Sequence, residues 1–134
     1  MLTVYHVGMN SYADVLRSFG GKLHVSSPLK RYVTRVVAKL PEEIRTHITS
    51  DCWFLGSRED AWAYTFTGDE LAGKHLIILS DELSRQSDTD IEWTIMHEIG
   101  HVILGHRNSI LVTQSRKEIA RQEKEADAFA RTYV

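Results

Sequence analysis

Cysteine is almost missing from this chain: its 134 residues include one, Cys52. A single thiol rules out an intrachain disulfide and a zinc site built on cysteines. Its ordinary place is a small buried apolar position, which suits a reducing compartment. Long apolar runs are also missing. The longest, Leu76 to Leu79 and Val102 to Leu104, fall far short of the roughly 20 residues that span a bilayer. The start, MLTVYHVGMNSYADVL, has no basic opening followed by an apolar stretch, so no secretory signal is expected. A soluble, cytoplasmic protein without a membrane partner is the expectation. Neither sign of charge dominates: the formal net charge is -2 and no basic stripe appears, which argues against a nucleic-acid partner. There are two prolines, no low-complexity segment and no internal repeat, so the composition gives no reason to expect disorder.

What remains is an ordinary globular composition at a length suited to one domain, residues 1–134, with one core. Residues 1–26 carry weak signals: a strand over Leu2 to Val7, a short helix over Ser11 to Phe19 ended by Gly20 and Gly21, and a strand over Lys22 to Val25. They form an N-terminal extension with a candidate regulatory role, that of covering a cleft.

Ser27 is a candidate N-cap with Pro28 at the first helical position. Leu29, Tyr32, Val33, Val36, Val37 and Leu40 follow at helical spacing. Pro41 ends or kinks that helix, and residues 42–49 make one or two further turns. Cys52 to Leu55, Ala61 to Phe66 and His75 to Ser80 are short, rich in aromatic and β-branched residues, and separated by glycine-containing turns; they read as strands. Thr89 and Glu92 have capping-box spacing, which predicts a helix from about Asp90 to a stop at Gly105. A last helix is expected from about Ser115 to the end. The fold class is therefore α+β: a small mixed β-sheet of about three strands packed on two C-terminal helices.

The chemistry concentrates in His97-Glu98-Ile99-Gly100-His101. On a helix, positions i and i+4 share a face, so His97 and His101 can aim two imidazole nitrogens at one ion. Glu98 sits about 100° further round the helix and reaches a water on that ion rather than the ion itself. Two ligands and one general base are the physical content of HExxH. A catalytic zinc commonly takes three protein ligands and keeps one position open. His106 is one candidate for the third, but it follows Gly105, where the helix should be ending. There its ordinary role is that of a histidine at a helix C-terminus, favoured by the macrodipole. The stretch Glu123-Lys124-Glu125-Ala126-Asp127-Ala128-Phe129-Ala130 offers more. Glu123 and Asp127 share a helix face, so one carboxylate can bind the metal while the other accepts the free N–H of a histidine ligand. Ala126 and Ala130 allow close approach to the His97 helix, and Glu125 falls on another side, with Arg121 and Phe129.

HEIGHVILGH followed by EKEADAFA resembles the gluzincins, zincins whose third ligand is a glutamate on a later helix. The pattern HExxHxxxxH with a later ExxAD is similar to the CAAX-prenyl-protease family and its small soluble relatives, the minigluzincins. The ImmA/IrrE family of repressor-directed metallopeptidases looks similar too, through its E-x-E-A-[ND]-x-F-A run. The resemblance covers residues 89–130 closely and residues 29–80 only in architecture. It implies a zincin-like fold and one zinc ion held by His97, His101 and Glu123. It also implies Glu98 as catalytic base, Asp127 as hydrogen-bond acceptor behind a ligand, and hydrolysis of a peptide or protein substrate. This chain lacks the membrane helices of the larger members and the segment that follows the glutamate helix in larger gluzincins. A stabiliser of the transition state would then come from upstream, with Tyr64, His75 and His106 as candidates. Two other readings stand beside the peptidase: a latent or non-catalytic metal-binding module, and a regulator that cuts one repressor. Exposed strand edges make a homodimer a further expectation.

Overall fold

The structure is a computed structural model that describes residues 12–57, 63–67 (the Tyr64 side chain excepted), 71–107 and 114–134. The strand expected at Leu2 to Val7 lies outside the described residues. The elements run in order α1 (Tyr12–Phe19), β1 (Leu23–His24), α2 (Ser27–Ala38), α3 (Glu42–Asp51), β2 (Cys52–Ser57), β3 (Ala63–Thr67), β4 (His75–Ser80), a 3₁₀ turn (Asp81–Arg85), α4 (Asp88–Ile103) and α5 (Arg116–Tyr133). This is the expected α+β class, with four strands where about three were foreseen. The fourth is β1, two residues long, on the strand expected over Lys22 to Val25.

The strands lie in the order β1-β2-β4-β3. β1 pairs parallel with β2, β2 pairs parallel with β4, and β3 pairs antiparallel with β4 at the edge, Thr65 opposite Ile77. The side-chain alternation of a pleated strand puts Cys52 and Phe54 of β2, and His75, Ile77 and Leu79 of β4, on the buried face. Those residues meet Leu29, Val33, Val36 and Val37 of α2 and Ile91, Ile95, Met96 and Ile99 of α4 in one core. The Cys52 thiol is fully buried there, and burial pushes its pKa far up. Residues 12–26 pack into this fold. α1 contributes Val15 and Phe19 to the core, the latter edge-on to Phe54, and β1 contributes Leu23.

Helix starts differ from the expectations by a residue or two. Ser26, not Ser27, stands at the N-cap of α2, and Pro28 falls in the first turn as a residue without an N–H should. α4 is capped by Ser87, whose hydroxyl accepts from the backbone N–H of Asp90, and not by Thr89. Glu92, the expected partner in the capping box, is taken by Lys39 at 2.5 Å and Arg35 at 3.5 Å, which tie α4 to α2. Ser115 caps α5 by accepting from the N–H of Glu118.

α4 ends through Gly105, at φ +70, a conformation that glycine adopts without strain. The Gly105 N–H bonds the Val102 carbonyl at 3.1 Å and the His106 N–H bonds the His101 carbonyl at 3.0 Å. This is the paired closure of a Schellman motif. Beyond the turn, α5 lies along α4, where Ala126 and Ala130 are fully buried. Gly100 faces Phe129 across this contact. A β-carbon there would lie 3.1 Å from Cδ1 of Phe129 and 3.2 Å from its Cβ.

Candidate metal centre

The α4–α5 contact brings His97, His101 and Glu123 together. Their side chains are set by helix geometry: the two histidines lie one turn apart on the face of α4 that meets α5. His101 Nε2 lies 3.2 Å from His97 Nε2. The Glu123 carboxylate spans them, with Oε2 2.7 Å from His101 Nε2 and Oε1 3.3 Å from His97 Nε2. Glu98 stands on the buried side, Oε2 at 4.0 Å from His97 Nε2. His97, Glu98 and His101 form a cluster whose ligand atoms all lie within 4.8 Å of one another, a set able to hold a metal ion.

The outer ring nitrogens have hydrogen-bond partners that orient both rings. His97 Nδ1 lies 2.8 Å from Asp127 Oδ1. An ionised carboxylate only accepts, so the proton is on Nδ1, and in the neutral ring Nε2 is a bare acceptor. His106 Nε2 lies 2.7 Å from Glu125 Oε1, and His106 Nδ1 lies 2.9 Å from His101 Nδ1. With Nε2 donating to Glu125, His106 accepts from His101 through Nδ1, and His101 then presents Nε2 to Glu123, where a metal would take the place of a proton. Burial keeps His101 neutral, holding its pKa down to about 4 against the opposing pull of Glu123. Two imidazole Nε2 atoms and a carboxylate thus converge on one point. Two imidazoles and a carboxylate within reach of one point are a donor set that fits a metal ion.

Glu98 is 6% exposed. Burial raises its pKa and Glu123 adds to the rise, while a hydrogen bond from Thr65 and the proximity of His97 oppose it. Thr65 Oγ1 donates to Oε1 at 2.7 Å. That residue, on the edge strand, is absent from the sequence-derived set. A threonine in a strand carries no signal of its own; only the sheet register places it against α4.

Two clefts flank the cluster. One, of about 210 Å³, is lined by Thr65, His106, Gln114, Ile119 and Gln122 on the His101 side. The other, of about 250 Å³, is lined by Trp93, Thr94 and Asp127 on the His97 side. Ala63 of β3 and Glu98 border both.

Residues 89–134 match the Peptidase U49 family. The matched stretch holds nearly all of α4 and the whole of α5, and with them both histidines, Glu98, Glu123 and Asp127. The match supports a peptidase function. No curated protein and no solved structure matches the chain.

The remaining sequence candidates fall as follows. His75 lies in β4 with Nδ1 2.8 Å from Thr67 Oγ1 and its ring against His47, engaged by the sheet and α3. Tyr64 is in β3, and its side chain lies outside the described residues. His106, read as a helix-end histidine, is 5% exposed and bonded on both ring nitrogens. Glu125 does turn to Arg121, whose Nη1 lies 2.7 Å from Oε2, but it also receives His106. Among the described residues, no helix is long and apolar enough to cross a membrane.

Proposed function

We propose that this chain is a zinc-dependent metallopeptidase in which His97, His101 and Glu123 hold the metal and Glu98 is the general base. The observation that carries the reading is the convergence of the two Nε2 atoms and the Glu123 carboxylate on one point, beside a buried glutamate. The likeness of the HEIGH and EKEAD runs to gluzincins and the peptidase family match support it. Two imidazoles and one carboxylate are a ligand set that zinc takes readily.

A zinc ion so held supplies Lewis acidity, bringing the ionisation of a water towards neutral pH and polarising a carbonyl. The chain's own residues do the rest. Asp127 holds the His97 ring by its Nδ1–H. Thr65 holds Glu98 by Oε1, leaving Oε2 on the side of the histidine nitrogens to take the proton of the attacking water and deliver it to the leaving amine. The raised pKa of Glu98 suits both halves of that transfer, since it accepts more strongly than an ordinary carboxylate and still releases. β3, at the sheet edge beside both clefts, offers backbone groups to an extended peptide or protein substrate.

The test is metal analysis of purified protein followed by hydrolysis of a broad peptide library, for the parent and for Glu98→Gln. One zinc per chain in both, with cleavage only in the parent, is expected. Zinc in both with no cleavage in either would favour the latent module. Cleavage by metal-verified Glu98→Gln would overturn the assignment of the base.

A further inference from the structure

We infer that His106 and Glu125, steadied by Arg121, are positioning residues that fix the tautomer and ring orientation of His101 and so set how tightly the chain holds its metal. The inference rests on the zinc reading above and gives a role to the last histidine of the HExxHxxxxH run and to Glu125.

Four contacts in series carry it. Arg121 is bound by Glu118 and sends Nη1 to Glu125 Oε2 at 2.7 Å. The other oxygen of Glu125 takes the Nε2–H of His106 at 2.7 Å. His106 Nδ1 takes the Nδ1–H of His101 at 2.9 Å. His101 Nε2 is left facing Glu123 and His97. Because a carboxylate only accepts, Glu125 takes a proton from His106 Nε2, which turns the Nδ1 acceptor of a neutral His106 towards His101 Nδ1. Glu125 thereby selects the His106 tautomer, and His106 selects that of His101.

His106 is also anchored to the same residue through its backbone, by the 3.0 Å bond from its N–H to the His101 carbonyl. The Gly105 turn folds the chain back so that the residue five positions on reaches both the main chain and the ring of His101. The two histidines of the motif are thus held differently. His97 meets a carboxylate, Asp127, directly; His101 meets Glu125 through an interposed imidazole. An acceptor behind a metal-bound histidine restrains the ring and makes it more basic, and losing one commonly costs about 10- to 100-fold in metal affinity.

The measurement is zinc affinity by chelator competition, with the melting temperature of the metal-free protein as control. His106→Leu and Glu125→Ala should each weaken zinc binding about 10- to 100-fold. The double variant should be little worse than either single one, because the links act in series. His106→Asn, whose Oδ1 can stand in for Nδ1, should recover most of the affinity while the melting temperature of metal-free Glu125→Ala stays near the parent's. Cobalt-loaded Glu125→Ala should show a visible spectrum shifted from the parent's. Parent-like zinc affinity in both single variants, or losses that simply add, would overturn the inference. Should His106→Leu fail to fold, Glu125→Ala decides alone. The two readings fail separately. If His97→Ala abolishes zinc binding while the His106 and Glu125 variants bind normally, only this inference falls. If the parent binds no zinc, both fall.

Discussion

The Thr65 hydroxyl lies 2.7 Å from Glu98 Oε1 and 3.3 Å from the Glu98 carbonyl, so one side chain of the edge strand grips the glutamate of α4 at both ends. Glu98 is buried, and an acid there without this donor would rotate or hold its proton more tightly. Thr65→Val keeps the shape and removes the donor. It should lower kcat/KM about tenfold with little change in bound zinc, and Thr65→Ser should retain most of the activity. Peptide hydrolysis with parallel metal analysis reads both; unchanged turnover in Thr65→Val would show that Glu98 needs no such hold.

The three acidic residues of α5 should separate by their effect on metal. Glu123 faces both Nε2 atoms, Asp127 supports His97 and Glu125 supports His106. Glu123→Gln is expected to weaken zinc binding more than Asp127→Ala, which should itself cost about 10- to 100-fold. Competition with a chromogenic chelator ranks them. A larger loss in Glu125→Gln than in Glu123→Gln would move the third ligand two residues along the helix.

Gly100 occupies one variable position of the HEIGH run for a reason of space. Phe129 crowds the place of a β-carbon, its Cβ being 3.2 Å from where that carbon would stand. Gly100→Ala should destabilise the protein by about 1–3 kcal/mol, as overpacking of a core does, despite alanine's better helix propensity. Phe129→Ala in the same chain should recover part of that loss beyond what the single effects predict. Urea unfolding of the four forms measures it; a stabilised Gly100→Ala would mean that α5 can shift outward freely.

His75 predicts an acid-sensitive fold independent of the metal. Its pKa is lowered, chiefly by burial and also by His47 on α3 and neighbouring Lys74, with Asp51 pulling the other way. A histidine harder to protonate in the folded than in the unfolded chain adds stability that is full above the unfolded value near 6.5. That stability is lost as the pH falls below it towards the folded value. His75→Asn, with Oδ1 in place to accept from Thr67, should therefore lose less stability than the parent between pH 7.5 and pH 5.5. Equal losses by urea unfolding would show that His75 does not contribute to this slope.

What could be read from the sequence was local, and what could not depends on long-range contact. The spacing of His97 and His101 is enough to put them on one helix face, because helix geometry fixes it. The shared face of Glu123 and Asp127 follows equally, and the strands around Phe54 and Ile77 follow from their short length, aromatic and β-branched content and flanking glycine turns. The capping box at Thr89 failed because Glu92 has a stronger use, its pairing with Lys39 and Arg35 of α2. Thr65 was silent because only β3 register brings it to Glu98. His106 was read correctly as the residue after a helix stop, but the Schellman turn that carries it back to His101 leaves no mark beyond one glycine. Glu125 was placed beside Arg121 by helical spacing; its contact with His106, nineteen positions away, was invisible to that spacing.

The proposed ligands come from two helices, His97 and His101 from α4 and Glu123 from α5, which meet over alanines and one glycine. A metal bridging them is a cross-link that closes the chain between residues 101 and 123 into a ring. Closing a ring of that length takes loop entropy from the unfolded chain, so the ion acts as a thermodynamic staple for the last helix as well as a reagent. Zinc supply would then govern how long the protein survives as well as how fast it works. Chelated protein should yield α5 first to a protease, and returning zinc should restore its resistance.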